Sequence, residues 1–306
     1  MTGRFLGLTF APVTLADRDA LTSLLRRFPQ RISGYTFASL VAWARPFAFG
    51  WTRLSDDAVL LSRAFGPAGE THLLQPLGRL RAQDRARLLD EAARLPYALR
   101  LLSVSSEFLA QEPELAAAFD AVEDRAGANY LYRVGDLVDL PGRRYSKKRN
   151  LIAQFEAAHG EARVEPLDAA CGSACLDALL ALARAQGEAN EDRNLAMELE
   201  ALEFTLPRLD VLEQDGVLVR VDGRPAAFSV LERLSPDVAA VHFEKADRTV
   251  KGLYQIVNRA SARRIAALGC TVVNREEDLG DDGLRQAKLS YHPFEIAEVF
   301  DLTLRR

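Results

Sequence analysis

The chain has 306 residues, of which 48% are hydrophobic, and a net charge of −4 at neutral pH. This length and apolar content allow a full core and indicate roughly two domains. The mildly acidic charge excludes a protein that coats nucleic acid with its whole surface, and no apolar run approaches the ~18 residues of a bilayer-spanning helix.

The first half of the sequence predicts a mixed α/β order. Apolar alternation and helical spacing indicate a strand, two helices, three strands, a helix and two further strands. Their ranges are 5–9, 15–28, 36–47, 50–54, 58–65, 71–75, 82–95, 99–104 and 130–140.

The second half predicts nearly the same order. It contains a strand, two helices, a three-stranded meander, a helix, a strand, a helix and a last strand. Their ranges are 162–167, 174–185, 195–204, 217–221, 226–231, 238–245, 252–268, 270–275, 283–289 and 295–302. Asp222-Gly223 between two apolar runs is a strong hairpin signal, and Gly269 follows the long helix as a natural terminator.

This order of elements is that of the GNAT acyltransferase fold. We therefore predict a mixed α/β protein with two tandem GNAT-like domains, residues 1–142 and 143–306. Any mixed α/β chain can be divided in a similar way, so the prediction depends on the matching positions of the hairpin and of the helix after it. We expect the functional site in the second domain.

A basic segment lies at the predicted junction. Residues 141–150 read Pro-Gly-Arg-Arg-Tyr-Ser-Lys-Lys-Arg-Asn, and Ser146 is expected to cap a helix after the Pro-Gly break. Closely spaced Arg and Lys side chains neutralise phosphate, and a helix N-terminus adds a favourable dipole. The alternative is a solvated basic linker. The phosphate-binding candidates are Arg143, Arg144, Lys147, Lys148, Arg149 and Asn150.

Charged residues mark the ends of the fourth and fifth strands of the second half. A GNAT fold separates these strands, and the acyl donor lies between them. Alternation predicts that carboxylates line this gap, which suits a substrate ammonium group. The alternative is salt bridging at strand ends. The substrate-binding candidates are His242, Glu244, Lys245, Asn274, Glu276 and Asp278.

Three further residues are candidates for the chemistry. Lys288 and Tyr291 lie one helical turn apart. Tyr291 is expected to protonate a leaving oxygen, and Lys288 or Arg275 to stabilise an oxyanion. The simpler alternative for Tyr291 is a ring packed at a helix end with its hydroxyl in water.

The loop after the fourth strand argues against coenzyme A. Acetyl-CoA users carry Arg or Gln, two residues, Gly, one residue, and Gly or Ala there. Here Lys251 and Leu253 occupy the two small positions and only Gly252 remains, one place late. Bulky side chains keep backbone amides from closing on phosphate, so we expect weak CoA binding and group Lys251 with the phosphate-binding candidates.

The cysteines give no sign of a metal site. Cys171 and Cys175 lie one helical turn apart, but none of the four histidines has ligand spacing with them. We predict no metal, no disulfide set and a cytoplasmic location, since the N-terminus also lacks the apolar centre of a signal peptide.

Several of these segments together resemble the phosphatidylglycerol lysyltransferase C-terminal-domain family. The resemblance covers nearly the whole chain, through residues 130–155, 242–246, 251–254, 274–280 and 288–291. It implies tandem GNAT-like domains akin to the Fem aminoacyltransferases. Its best-understood members move an amino acid from aminoacyl-tRNA to a lipid hydroxyl, and the membrane-spanning portion of those enzymes has no counterpart in this sequence.

The sequence thus favours an aminoacyltransferase with aminoacyl-tRNA as donor, no cofactor, and a lipid headgroup, a peptide or a small molecule as acceptor. Two alternatives stay open. One is an N-acyltransferase that uses an acyl-CoA, and the other is a non-catalytic member that binds a ligand or tRNA.

Overall fold

The computed structural model describes residues 3–66, 69–185 and 193–306. They form two compact units. The first contains the described part of Met1–Asn129 with Glu277–Asp281 and Ile296–Arg306, and the second contains that of Tyr130–Glu276 with Asp282–Glu295. The units thus divide at 129/130, whereas the sequence suggested 142/143, and the end of the chain returns to the first unit.

The first half of the chain forms a sheet with short helices. Its strands are β1 (Gly3–Phe5), β2 (Leu8–Pro12), β3 (Gly50–Ser55), β4 (Ala58–Phe65), β5 (Glu70–Leu74), β6 (Leu77–Gly78), β7 (Arg100–Ser105) and β8 (Phe119–Glu123). Its helices are α1 (Arg18–Arg27), α2 (Phe37–Ala42), α3 (Ala82–Ala92), α4 (Ser106–Gln111) and α5 (Pro113–Ala116). The core includes Leu60, Leu73 and Leu101, which are fully buried on neighbouring strands.

The rest of the chain, from Asn129 onward, supplies the remaining elements. Its strands are β9 (Asn129–Arg133), β10 (Arg163–Pro166), β11 (Gln214–Val221), β12 (Arg224–Arg233), β13 (Val238–Ala246), β14 (Val272–Asn274), β15 (Glu295–Ala297) and β16 (Val299–Leu304). Its helices are α6 (Val134–Asp139), α7 (Ser146–His159), α8 (Ala169–Ala174), α9 (Leu176–Arg184), α10 (Arg193–Thr205), α11 (Leu253–Ala267) and α12 (Asp282–Leu289).

Local sequence signals explain the elements nearest the site. Asp222 and Gly223 both have positive φ, as the tight turn between β11 and β12 requires. Leu253, Ile256 and Val257 are buried on one face of α11, which ends before Gly269 as predicted. Among the described residues, no helix has both the length and the apolar character needed to cross a bilayer.

Relative to the predicted domains, each sheet contains one strand from the other domain: β9, from residues 1–142, lies in the second sheet, and β16, from residues 143–306, lies in the first. The first sheet has the order β1-β2-β3-β4-β5-β7-β16-β8, with β6 beside β4, and the second has the order β10-β11-β12-β13-β14-β9-β15. The strand prediction for 130–140 was wrong after residue 133, because Val134, Leu137 and Leu140 are buried at a spacing of three and belong to a helical turn. The strand predicted at 295–302 is divided between the two sheets.

Candidate functional site

Two parallel strands of the second sheet separate at their carboxyl ends. The last paired position of β13 and β14 joins Ala240 to Asn274. β14 ends there, whereas β13 continues to Ala246 and stays paired with β12. His242 and Glu244 on β13 meet Glu276 and Arg275 across the opening. We call this opening, bounded by these four side chains, the strand gap.

His242 is held between two carboxylates. Its Nδ1 lies 2.7 Å from Glu276 Oε1, and its Nε2 lies 2.7 Å from Glu232 Oε2. Burial by itself lowers the pKa of His242, but the charges and hydrogen bonds of Glu276 and Glu232 outweigh it and raise the pKa to about 10. His242 is therefore a cation at neutral pH that donates from both ring nitrogens, so it cannot serve as a general base there.

Replacement of His242 by glutamine is expected to destabilise the protein most below pH 6.5. The folded pKa of about 10 lies above the ordinary histidine pKa of 6.5, so the stabilisation is complete below pH 6.5 and is lost as pH rises through 10. The difference in unfolding free energy between the unmodified protein and His242→Gln should shrink by at most about 1.4 kcal/mol per pH unit over this window. Urea denaturation at several pH values measures it, and a difference independent of pH would contradict the charged imidazole.

Glu244 and Arg275 form a second buried pair. Arg275 Nη2 lies 2.7 Å from Glu244 Oε1, and the side chains are 14% and 9% exposed. Asn258, oriented to suit its neighbours, accepts from the Arg275 guanidinium at 3.0 Å. Burial lowers the pKa of Arg275, but Glu244 outweighs it, so the net pKa is above the ordinary arginine value. This pair places a carboxylate on the β13 side of the strand gap and a guanidinium group on the opposite side, after β14.

Tyr291 and Lys148 lie beside this pair. The Arg275 guanidinium carbon is 5.2 Å from the centre of the Tyr291 ring. Lys148 Nζ is 4.1 Å from the same ring centre and 2.7 Å from Ser290 Oγ. Burial raises the pKa of Tyr291 to about 12, and burial together with the Arg275 charge lowers the pKa of Lys148 to about 8. The Tyr291 hydroxyl is thus protonated at neutral pH, and the pKa of Lys148 lies near neutral pH. Both groups are suited to proton transfer.

Other members of the basic segment hold the turn before α7. Arg144 Nη2 lies 3.1 Å from Asp136 Oδ2. Arg149 donates to the carbonyl of Leu140, and to that of Gly142 at 2.7 Å. Arg144 and Arg149 therefore bond to groups of their own chain. Fewer cations of the basic segment remain for an external anion than the sequence alone suggested.

The start of α7 presents two free cations. Arg143 and Lys147 are exposed, and neither makes an ion pair within the described residues. Asn150 is also exposed, one turn further along the helix. Ser146 is the first residue of α7 rather than its cap, and no side-chain hydrogen bond caps the helix at Tyr145. An external phosphate placed here would meet both cations and the helix dipole.

Two of the predicted site residues support the backbone after β14. Lys288 is buried, and its Nζ donates to the carbonyl of Arg275. The Asn274 side-chain oxygen accepts the backbone N–H of Glu276 at 2.7 Å. Both contacts fix the backbone that carries Arg275 and Glu276. Lys288 and Asn274 are therefore positioning residues for these two side chains.

Asp278 does not continue the alternation expected from Asn274 and Glu276. The strand ends at Asn274, and Glu276 has a φ of +58°, so the chain turns there. Asp278 belongs to the first unit, where its carboxylate accepts the N–H of Gly280 at 2.9 Å and lies 3.3 Å from Arg125.

Sequence reasoning missed three residues that contact the predicted ones. Glu232 pairs with His242, Asn258 contacts Arg275, and Glu198 Oε1 lies 2.7 Å from the Nζ of Lys245. Glu232 lies opposite Ala240, but only after a register shift between Val230 and Leu231, so its position beside His242 could not be read from the sequence. Glu198 and Asn258 lie on helices and become recognisable only in three dimensions.

The loop before α11 is shaped by helix packing. Gly252 has a φ of +85°, and a Cβ added to it would lie 2.2 Å from the carbonyl oxygen of Leu151. The N–H of Val250 donates to the carbonyl of Asp247 at 3.2 Å. Lys251 is exposed. The one glycine of this loop is thus explained by the close approach of α7 to α11.

Residues 25–302 match the protein family described as phosphatidylglycerol lysyltransferase, C-terminal. No curated protein matches the sequence. A conserved protein of unknown function from Bacteroides thetaiotaomicron VPI-5482 is 30% identical, over 97% of this chain and 99% of that chain, with a TM-score of 0.84.

Two more distant structures share the fold. The C-terminal domain of a proposed lysylphosphatidylglycerol synthetase from Agrobacterium fabrum is 15% identical, over 95% of this chain and 92% of that chain, with a TM-score of 0.66. A tandem GNAT protein from the clavulanic acid biosynthesis pathway is 11% identical, over 97% and 98%, with a TM-score of 0.52. These likenesses confirm the predicted mixed α/β, tandem GNAT-like fold.

Proposed function

Because the chain belongs to the phosphatidylglycerol lysyltransferase C-terminal family, we propose that it is an aminoacyltransferase that moves an amino acid from aminoacyl-tRNA to an amine or hydroxyl acceptor. The observation that carries the proposal is the strand gap, whose carboxylates and Arg275 lie beside the protonated phenol of Tyr291 and a lysine of lowered pKa, Lys148. The acceptor is a lipid headgroup, a peptide or a small molecule. We assign the reaction to the cytoplasm, where aminoacyl-tRNA is found.

Carboxylates of the strand gap are suited to the ammonium group of the donated amino acid. The Glu276 side chain is 24% exposed, and His242 contacts its Oε1 atom. We assign the substrate ammonium to the other oxygen of Glu276, with Glu244 as the nearby second charge. Arg275 orients Glu244 through their 2.7 Å contact.

The transfer forms one bond and breaks one. The acceptor nitrogen or oxygen attacks the aminoacyl carbonyl carbon, and the ester bond to the tRNA ribose breaks. We assign to Lys148, whose pKa is about 8, the proton that the acceptor loses. We assign to Tyr291 the proton that the leaving ribose oxygen gains, because its hydroxyl is protonated at neutral pH. The positive charge of Arg275 stabilises the tetrahedral intermediate at longer range.

Use of acyl-CoA is the less favoured function. The GNAT cradle needs small residues and backbone amides that are free to bind phosphate. Here the Leu151 carbonyl occupies the space beside Gly252, and the Val250 amide already donates to the carbonyl of Asp247. Calorimetric titration with acetyl-CoA separates the two functions, because the aminoacyl-tRNA assignment predicts no saturable heat.

Charge reversal at the start of α7 tests the donor assignment. We expect Arg143→Glu combined with Lys147→Glu to weaken tRNA binding by about tenfold or more and to reduce the slope of log affinity against log salt by roughly 1–2, since two phosphate contacts are lost. Both residues are exposed and make no ion pair within the described residues, so the fold should be unaffected. Filter binding over a salt series measures both quantities.

Arg87→Glu is the matched control, since Arg87 is an exposed arginine of the first unit. It should bind tRNA nearly as the unmodified protein does. Equal affinity and equal salt slope in the double variant and in this control would remove tRNA from the proposal.

A further inference from the structure

A half-buried cation of the first unit has no counter-charge of its own. Arg63 on β4 places its guanidinium carbon 4.2 Å from the centre of the Phe47 ring and 5.7 Å from that of Phe65. Its Nε is buried without a hydrogen-bond partner. Within the described residues Arg63 makes no ion pair or hydrogen bond. Guanidinium groups in such surroundings are normally paired with a carboxylate.

A second arginine approaches the same aromatic ring. Arg100 on β7 has its guanidinium carbon 4.6 Å from the centre of the Phe65 ring, and its Nε is also buried without a partner. Its Nη2 lies 2.8 Å from Asp301 Oδ2. Both arginines interact electrostatically with Asp301. The two guanidinium groups therefore share Asp301. A further carboxylate that acts on Asp301, that of Asp124, already accepts the backbone N–H groups of Ala126 and Gly127.

The other polar groups of the cluster do not supply the missing negative charge. The Tyr35 hydroxyl donates to the carbonyl of Ser103 at 2.7 Å, and burial keeps its pKa far above neutrality. His72 accepts the backbone N–H of Arg100 at 3.1 Å, so it is neutral. Burial lowers the pKa of Arg63, although Asp301 counteracts it. Arginine does not lose its proton in practice, so the excess charge persists.

We propose that the first unit binds a small oxyanion, a carboxylate or a phosphate group, between Arg63 and Arg100 beside the Phe47 and Phe65 rings. The anion accepts from Nη groups of the two arginines, since their unpartnered Nε atoms are closed to solvent, and it balances the excess positive charge. Arginine is suited to this role because its planar fork matches both kinds of oxyanion. The site lies wholly in the first unit and does not depend on the proposed transfer reaction.

The competing explanation is purely structural: Arg63 anchors the segment around Phe47 by stacking on its ring. The two explanations differ in what Arg63→Met should do. Methionine fills a similar volume without a charge, so an anion site predicts a variant that is no less stable without anion and has lost its response to anion. A stacking anchor predicts a variant that is destabilised equally at every anion concentration.

Thermal unfolding in rising concentrations of sodium phosphate, and separately of sodium acetate, tests the site. Sodium chloride at equal ionic strength is the reference. We expect the melting temperature of the unmodified protein to rise saturably with at least one of the two oxyanions beyond the chloride series. A response to phosphate alone identifies a phosphate group as the ligand, and a response to acetate alone identifies a carboxylate. No response to either overturns the proposal.

Four variants sharpen the result. Arg63→Met should weaken the apparent anion affinity by about tenfold or more, whereas Arg53→Met, at an exposed arginine of the neighbouring strand, should leave it unchanged. Asp301→Asn should strengthen the affinity, since it removes the internal competitor for Arg100. If Arg63→Met does not fold, Arg63→Lys keeps the charge but loses the fork and should still weaken binding. Equal affinities in all the variants would contradict the site.

Discussion

Replacement of Tyr291 by phenylalanine is expected to slow aminoacyl transfer by about 10²–10⁴-fold while the fold stays intact. Burial raises the pKa of Tyr291 to about 12, so its hydroxyl carries a proton at neutral pH, and we assign this proton to the leaving ribose oxygen. Phenylalanine keeps the ring that faces Lys148 but has no proton to give. Single-turnover transfer from labelled aminoacyl-tRNA measures the chemical step, and filter binding shows that the donor still binds.

Tyr97→Phe is the matched control for the loss of a hydroxyl. The Tyr97 hydroxyl donates to the carbonyl of Thr71 at 2.8 Å in the first unit. Its removal should cost about 1 kcal/mol of stability, as for other hydrogen bonds, and leave transfer unchanged. If Tyr291→Phe and Tyr97→Phe transferred at the same rate, Tyr291 would have no part in the chemistry.

Replacement of Arg275 by methionine is expected to lower the free energy of unfolding by about 3–5 kcal/mol. The variant leaves the Glu244 carboxylate, which is 9% exposed, without the guanidinium that lies 2.7 Å away. A buried carboxylate without a partner lowers the free energy of unfolding far more than removal of the whole pair does. Urea denaturation at pH 7 measures the effect.

A second substitution separates this explanation from simple loss of packing. Glu244→Gln added to Arg275→Met removes the stranded charge, so the double variant should be more stable than Arg275→Met alone. Arg264→Met is the matched control, because Arg264 and Asp215 form a pair that is 43% and 25% exposed and is expected to contribute less than about 1 kcal/mol. A double variant less stable than Arg275→Met would contradict the buried-pair account.

The parts of the fold that local chemistry decides could be predicted from the sequence. The Asp222-Gly223 hairpin and the helix ending before Gly269 depend on φ preferences and on apolar spacing, which neighbouring residues determine. The strand exchange between the two sheets could not be predicted. Alternation shows which face of a strand is buried, but it does not show which sheet the strand joins.

In the candidate site, too, local alternation could be predicted from the sequence and tertiary packing could not. Alternation along β13 places His242 and Glu244 on one face, and both side chains reach across the strand gap. Beyond Asn274 the pattern failed, because the left-handed backbone at Glu276 ends the alternation. Lys148 was predicted to bind phosphate with its neighbours, and its contact with the Tyr291 ring depends on how α7 packs, which sequence spacing does not reveal.

The fate of a labelled amino acid decides whether the strand gap transfers an amino acid from aminoacyl-tRNA. The protein is incubated with tRNA charged with labelled amino acids and with separate lipid and water-soluble cell extracts. We expect label to leave the tRNA and to appear on an acceptor in one extract, and we expect Tyr291→Phe to slow this transfer by about 10²–10⁴-fold. If label stays on the tRNA in the presence of folded protein and both extracts, the strand gap does not carry out this transfer.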